Sequence, residues 1–223
     1  MIDPRLLQLC DSAFPSGAFS HSFGLETAIL EREVSDAEGV GAWIAAYLCL
    51  SAATLDARAI ALCLTGRASL AELEEALSAA VFAPELRSAT RRLARATLDA
   101  YDAMGIASGA INAYRAALHS GDSHGHHALA CALGFRSIGA SAYDACCAYL
   151  SSTAGTLAAA AARAVPLGQR DVGRLLWSLR DAIALAAETA AGAQSARDLS
   201  ASAIECEIDA MRHTWLDGRL FAS

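Results

Sequence analysis

The chain is predicted to be all-α, a single-domain helical bundle with an ordered N-terminal loop and a C-terminal docking tail. Three observations lead there. Beyond residue 26 the sequence is rich in alanine, and its bulky apolar residues recur at helical spacing. Two Ser-x-x-Glu capping patterns, Ser35 with Glu38 and Ser69 with Glu72, stand ahead of apolar-periodic runs. A length of 223 residues with 55% hydrophobic content is enough to fill one sizeable core.

The elements follow in order. Residues 11–26, DSAFPSGAFSHSFGLE, lack regular spacing; Pro15 fixes its own φ, pushes Phe14 toward extended geometry, and is followed by Gly17 and Gly24. An ordered turn is expected there, with a short helix after Glu26 to about Arg32. The Ser35 box opens a helix from 36 to about 64, carrying Val40, Trp43, Ile44, Tyr47 and Leu48 on one side and stopped by Gly66. Ser69 opens a second helix to about Val81, and Pro84 suits the first turn of a third with Leu86, Leu93, Leu98, Tyr101 and Met104 on its apolar side. Arg87, Arg91, Arg92 and Arg95 form a basic stripe on that helix, read as a solvated face with local ion pairs. Residues 120–125 read as a surface loop, 126–133 as a helix closed by Gly134, and Ser137 as the cap of a long small-residue helix to about Val165, the expected centre of the bundle. Pro166 to Gln169 interrupt it. Val172, Leu175, Leu176, Leu179 and Ile183 then mark another helix; residues 192–202 are polar and expected to be loose. The chain ends MRHTWLDGRLFAS, whose Trp215, Leu220 and Phe221 must dock on their own domain or meet a partner.

Charge and composition narrow the function. A net charge of -7 and a pI near 5.3 argue against nucleic-acid or anionic-membrane surfaces. All 17 basic residues are arginine, which removes a Walker A lysine, a Schiff-base lysine and a lysine general base together. Seven cysteines without a leader-like apolar start read as reduced thiols of a cytoplasmic protein. The uncharged run 145–162 is too poor in bulky apolar groups for a lipid span and reads as a buried helix.

Residues 11–26 resemble the N-terminal signature of the UreF family of urease accessory proteins. The matching positions are Ser12, Ala13, Pro15, Gly17, Phe19, Ser20, Ser22, Gly24, Leu25 and Glu26, after a Leu6, Leu7, Leu9 lead-in; Phe14, Ala18, His21 and Phe23 depart from the usual pattern. Glu85, Leu86 and Arg87 match an ELR segment, Val165 to Gln169 a PLGQ corner, and Met211, Arg212, His213, Arg219, Leu220, Phe221 and Ser223 the family's tail. The resemblance implies an all-α scaffold, not an enzyme, that forms a homodimer, binds UreD (also called UreH), recruits the GTPase UreG and docks on apo-urease. Nickel is then handled by the assembled complex, with no cofactor bound tightly by this chain. In that picture residues 203–223 form the partner-binding tail, with Leu220 and Phe221 as apolar anchors, Arg219 as the directional contact, and His213 and Ser223 beside them. Pro15, Gly17, Phe19, Ser20, Gly24, Glu26 and Gln169 belong to the surface that meets the dimer mate or UreG.

A metal or thiol function is the alternative. His124, His126 and His127, near His119 and Asp122, form a Gly-containing run able to hold Ni²⁺ or Zn²⁺ loosely, but a stable site needs fixed geometry and a fourth ligand. Cys146 and Cys147 are adjacent and point about 100° apart on a helix. No HExxH, GxSxG or dinucleotide glycine pattern occurs, so no catalytic constellation is expected.

Overall fold

The structure is a computed structural model that describes residues 3–31 and 34–222; the expected helix end at Arg32 and the tail residue Ser223 lie outside them. Among the described residues there are ten helices and no strand: α1 Pro4–Leu9, α2 Leu25–Leu30, α3 Ala37–Thr65, α4 Leu70–Ala80, α5 Pro84–Ala103, α6 Gly109–Ser120, α7 His127–Ser137, α8 Ala142–Ala164, α9 Gln169–Ala191 and α10 Ile204–Arg212. One continuous core joins them.

Several boundaries are set by the local chemistry expected of them. Ser69 and Glu72 complete a reciprocal capping box, Pro84 occupies the first turn of α5, and Gly66 ends α3 in the left-handed region at φ 69°. Others are decided by longer-range contacts. The cap of α3 is Asp36, not Ser35, because the Asp36 carboxylate reaches the Gly39 N–H at 2.9 Å. Gly134 does not close α7; it sits mid-helix, where a Cβ would come within 2.1 Å of the Tyr101 hydroxyl, so the glycine admits that ring. Ser137 is the last residue of α7, and Ser141 caps α8 by accepting from the Asp144 N–H. Met104, expected on the apolar side of α5, caps its end and is exposed. The stretch after Met104 contains α6, capped by Ser108.

α3 is 29 residues long, and its middle, Leu48–Ala57, winds as a π-helix. The segment expected to be loose is fastened to that stretch. Ser200 and Ser202 donate backbone N–H groups to the carbonyls of Thr54 and Leu50, Thr54 Oγ1 donates to Ser200 O, Arg58 bonds Asp198 O, and Arg67 bonds Ala193 O. This strap delivers the chain to α10.

α8 and α9 pack extensively on each other and both pack on α3; α8 also packs on α2. As expected of the central helix, α8 meets α1, α2, α3, α9 and the Ala18–Ser20 turn; α7 is buried along residues 128–135 between α3 and α5. α8 keeps one open flank, because its small side chains Ala148, Ser151, Gly155 and Ala159 line a groove of about 800 Å³ facing the N-terminal segment. α3 and α8 are long and apolar enough to cross a membrane by length and composition; 61% and 50% of their most apolar windows are buried inside the bundle.

Candidate functional site: the N-terminal signature and the tail

The signature turns sharply. Gly17, Phe23 and Gly24 have φ of 77°, 54° and 99°, and a 3₁₀ turn, Ala18–Ser20, lies between. Gly24 is required twice over: its φ is left-handed, and a Cβ there would stand 2.8 Å from Cys206 O and 2.9 Å from Ala210 N. It therefore lets the start of α2 lie directly against the backbone of α10. Thr27 Oγ1 donates to Asp209 O at 2.8 Å, and Trp43 Nε1 donates to Asp209 Oδ2 at 3.3 Å.

One residue further into α2, Glu26 gathers the tail. Its Oε2 lies 2.8 Å from His213 Nε2, both side chains being fully buried. Its Oε1 accepts the Leu220 N–H at 2.6 Å, and Oε2 also accepts the Phe221 N–H at 3.3 Å. A buried carboxylate is tolerable when its lone pairs are filled in this way. The strand-like end of the tail continues along the signature, the Ala222 N–H donating to Ser20 O at 2.8 Å. Phe221 is buried, with the Arg163 guanidinium 4.2 Å from its ring centre; the same guanidinium bonds Phe19 O and lies 6.0 Å from the Phe19 ring. Arg212 pairs with Glu31 at 2.7 Å.

The expected site residues thus fall into two sets. Glu26, Gly24, His213 and Phe221 are inside, holding signature to tail; Pro15, Phe19, Arg219 and Leu220 are exposed. Gly17 and Ser20 are half-buried, and Gln169 begins α9 on the exposed corner. Of the two apolar anchors, then, Leu220 faces outward and Phe221 is occupied within its own chain. Ile204, Ile208, Met211 and Trp215 are exposed at helical spacing along α10 and the turn after it. The sequence does not single out Arg163, and it marks Asp209 only for standing four residues before His213, where it could orient the imidazole. The only hint was that Arg163 ends the uncharged run of α8.

The histidine run does not converge. His124 is exposed, His126 Nε2 meets Ser78 Oγ at 2.9 Å, and His127 Nε2 meets Cys131 Sγ at 3.3 Å. Among the described residues no group of three or more His, Cys, Asp or Glu is placed to hold a metal ion. The loop is ordered by Glu74, which accepts from Ser123 Oγ and the Gly125 N–H. His127, Cys131, Asp56 and Tyr149 line a partly open cavity of about 100 Å³, where Tyr149 donates to Asp56 Oδ2 at 3.0 Å. Burial pushes the Asp56 carboxyl up to about 6 and the His126 and His127 imidazoles down to about 4, and it raises the Cys131 thiol well above its ordinary range. A raised thiol beside a weakened base is the reverse of an activated nucleophile.

The family model for UreF matches residues 34–180. The chain is 35% identical over 218 residues to the urease accessory protein UreF of Arthrobacter sp. (strain FB24), covering 98% of this chain and 96% of the relative. It is 32% identical to that of Bacillus sp. (strain TB-90), covering 98% and 97%, and 33% identical to that of Corynebacterium glutamicum (strain R), covering 99% and 98%. With these matches running through the signature, the helical core and the tail, the chain belongs to the UreF family of urease accessory proteins.

Proposed function

We propose that the chain acts in the cytoplasm as a non-enzymatic scaffold of urease maturation, binding UreD/UreH through its tail, recruiting the GTPase UreG and docking on apo-urease while nickel is inserted. The observation that carries this reading is the junction at Glu26, which fixes the tail against the signature and leaves Arg219, Leu220 and Trp215 facing outward. Trp215 and Leu220 are exposed together with Ile204, Ile208 and Met211, and monomeric proteins rarely leave large contiguous apolar faces in water. The groove along α8, flanked by exposed Leu7 and Phe19, supports a second copy as the other contact. An all-arginine basic set with no lysine fits a division of labour in which nucleotide chemistry belongs to UreG.

The test is urease activity and nickel content in cells carrying the complete urease gene set with this gene intact, deleted or truncated before Arg219. Urease protein present in all three, with nickel and activity only in the first, is the expected result. Activity indifferent to deletion would overturn the reading. At the contact itself, the double substitution Trp215→Ala, Leu220→Ala is expected to weaken UreD/UreH binding by roughly 2 kcal/mol or more while the helical spectrum stays unchanged.

A further inference from the structure

Residues 11–17 stand as a wall between two spaces. Cys10, Asp11, Phe14, Ser16 and Ala18 line the cavity at the His127–Cys131 pair on one side and the groove along α8 on the other. Ser152 and Thr156 of α8 also border both, so the two spaces meet there and only the N-terminal segment separates them.

The wall is thinly attached. Among the described residues, every hydrogen bond made by residues 11–17 runs to a neighbour within 8–20: Asp11 N to Gln8 O, Ala13 N to Asp11 Oδ1, Phe14 N to Asp11 O, Ser16 N to Phe14 O, Ala18 N to Ser16 Oγ, and Ser20 to Gly17 O. None reaches another helix. Asp11, Ser12, Ala13 and Pro15 are exposed; what holds the segment inward is the half-buried Phe14 ring, 5.8 Å from that of Tyr101. A segment with self-contained hydrogen bonds and one inward apolar anchor opens at low free energy without disturbing the core. Gly17, at φ 77° with nothing within 4 Å of where a Cβ would be, provides a hinge at its downstream end.

We propose that residues 11–17 form a lid, latched by Phe14, whose opening joins the cavity to the groove and admits small neutral or polar solutes to the His127–Cys131 pair. The lid is a property of the free chain and stands whether or not the tail binds a partner.

The experiment reads Cys131 with methyl methanethiosulfonate, which transfers its methylthio group to the thiolate sulfur and releases methanesulfinate. Peptide mass mapping follows each cysteine separately. Cys63 and Cys146, buried in the core and away from the cavity, report global unfolding. In Phe14→Ala Cys131 is expected to react about ten-fold faster than in the native wild type, while Cys63 and Cys146 keep their wild-type rates. Gly17→Ala, which strains the closed hinge and leaves Phe14 in place, is expected to accelerate Cys131 in the same selective way. A Cys131 rate unchanged by both substitutions, or acceleration shared by all three cysteines, would each overturn the lid.

Discussion

Glu26 illustrates how much one side chain decides here. A carboxylate removed from water needs its lone pairs filled, and Glu26 fills them with an imidazole and two backbone N–H groups from the far end of the chain. Gly24 makes that approach possible, so Gly24→Ala meets backbone on α10 that cannot swing aside. It is expected to lower stability by about 2–3 kcal/mol and to speed amide exchange in residues 213–222 more than in α7, measured by denaturant unfolding and hydrogen exchange. Asp56 is the opposite case. Its residual exposure opens on the cavity, and its carboxyl is raised to about 6 against an ordinary 3.8, so the folded state resists the charged form. That cost to stability is full above pH 6 and vanishes as pH falls below about 4. Asp56→Asn, which still accepts from Tyr149, is therefore expected to melt higher than wild type at pH 8, by about 1 kcal/mol, with the advantage shrinking toward pH 5. His126 and His127 work the other way: lowered to about 4, they favour the folded state above pH 6.5 and withdraw that support as pH falls toward 4.

Elements differ in how far neighbouring sequence determines them. Ser69 with Glu72, Pro84 and Gly66 act through the backbone of adjacent residues, and all three boundaries were legible. Gly134 misled because a glycine inside a helix looks like a terminus unless the ring packed on it is known, and Tyr101 is 33 positions away by number; Ser137 ends α7, and the serine four residues on is the one that caps α8. The strap at 192–202 looked loose because its partners are carbonyls within the π stretch of α3, which no side-chain pattern announces. Its role can be measured: Arg58→Ala removes the bond to Asp198 O, and it is expected to raise exchange in residues 198–202 and loosen α10 while α7 keeps its protection. The signature and tail were visible as motifs. Their pairing through Glu26, His213 and Arg163 was not, since contacts spanning 187 residues leave no periodicity to read.

At the scale of the whole molecule the bundle has two different faces. One is the groove beside α8, floored with small residues; the other is the apolar stripe of α10 with the outer side of the tail. Both are anchored on the signature, so removing it is expected to injure more than one contact: a chain lacking residues 1–20 should fail in both self-association and UreD/UreH capture, scored by light scattering and co-purification, whereas truncation before Arg219 should spare self-association. The junction also bears on biosynthesis. The signature is made well before the groups that fill Glu26, which follow it by 187 to 195 positions. At about 5–20 residues/s that is a wait of roughly 10–40 s, during which the Glu26 carboxylate lacks the imidazole and N–H groups that fill it in the folded chain. Closure of that corner therefore waits on synthesis of the tail, and the signature spends the interval with a buried-type carboxylate still in water.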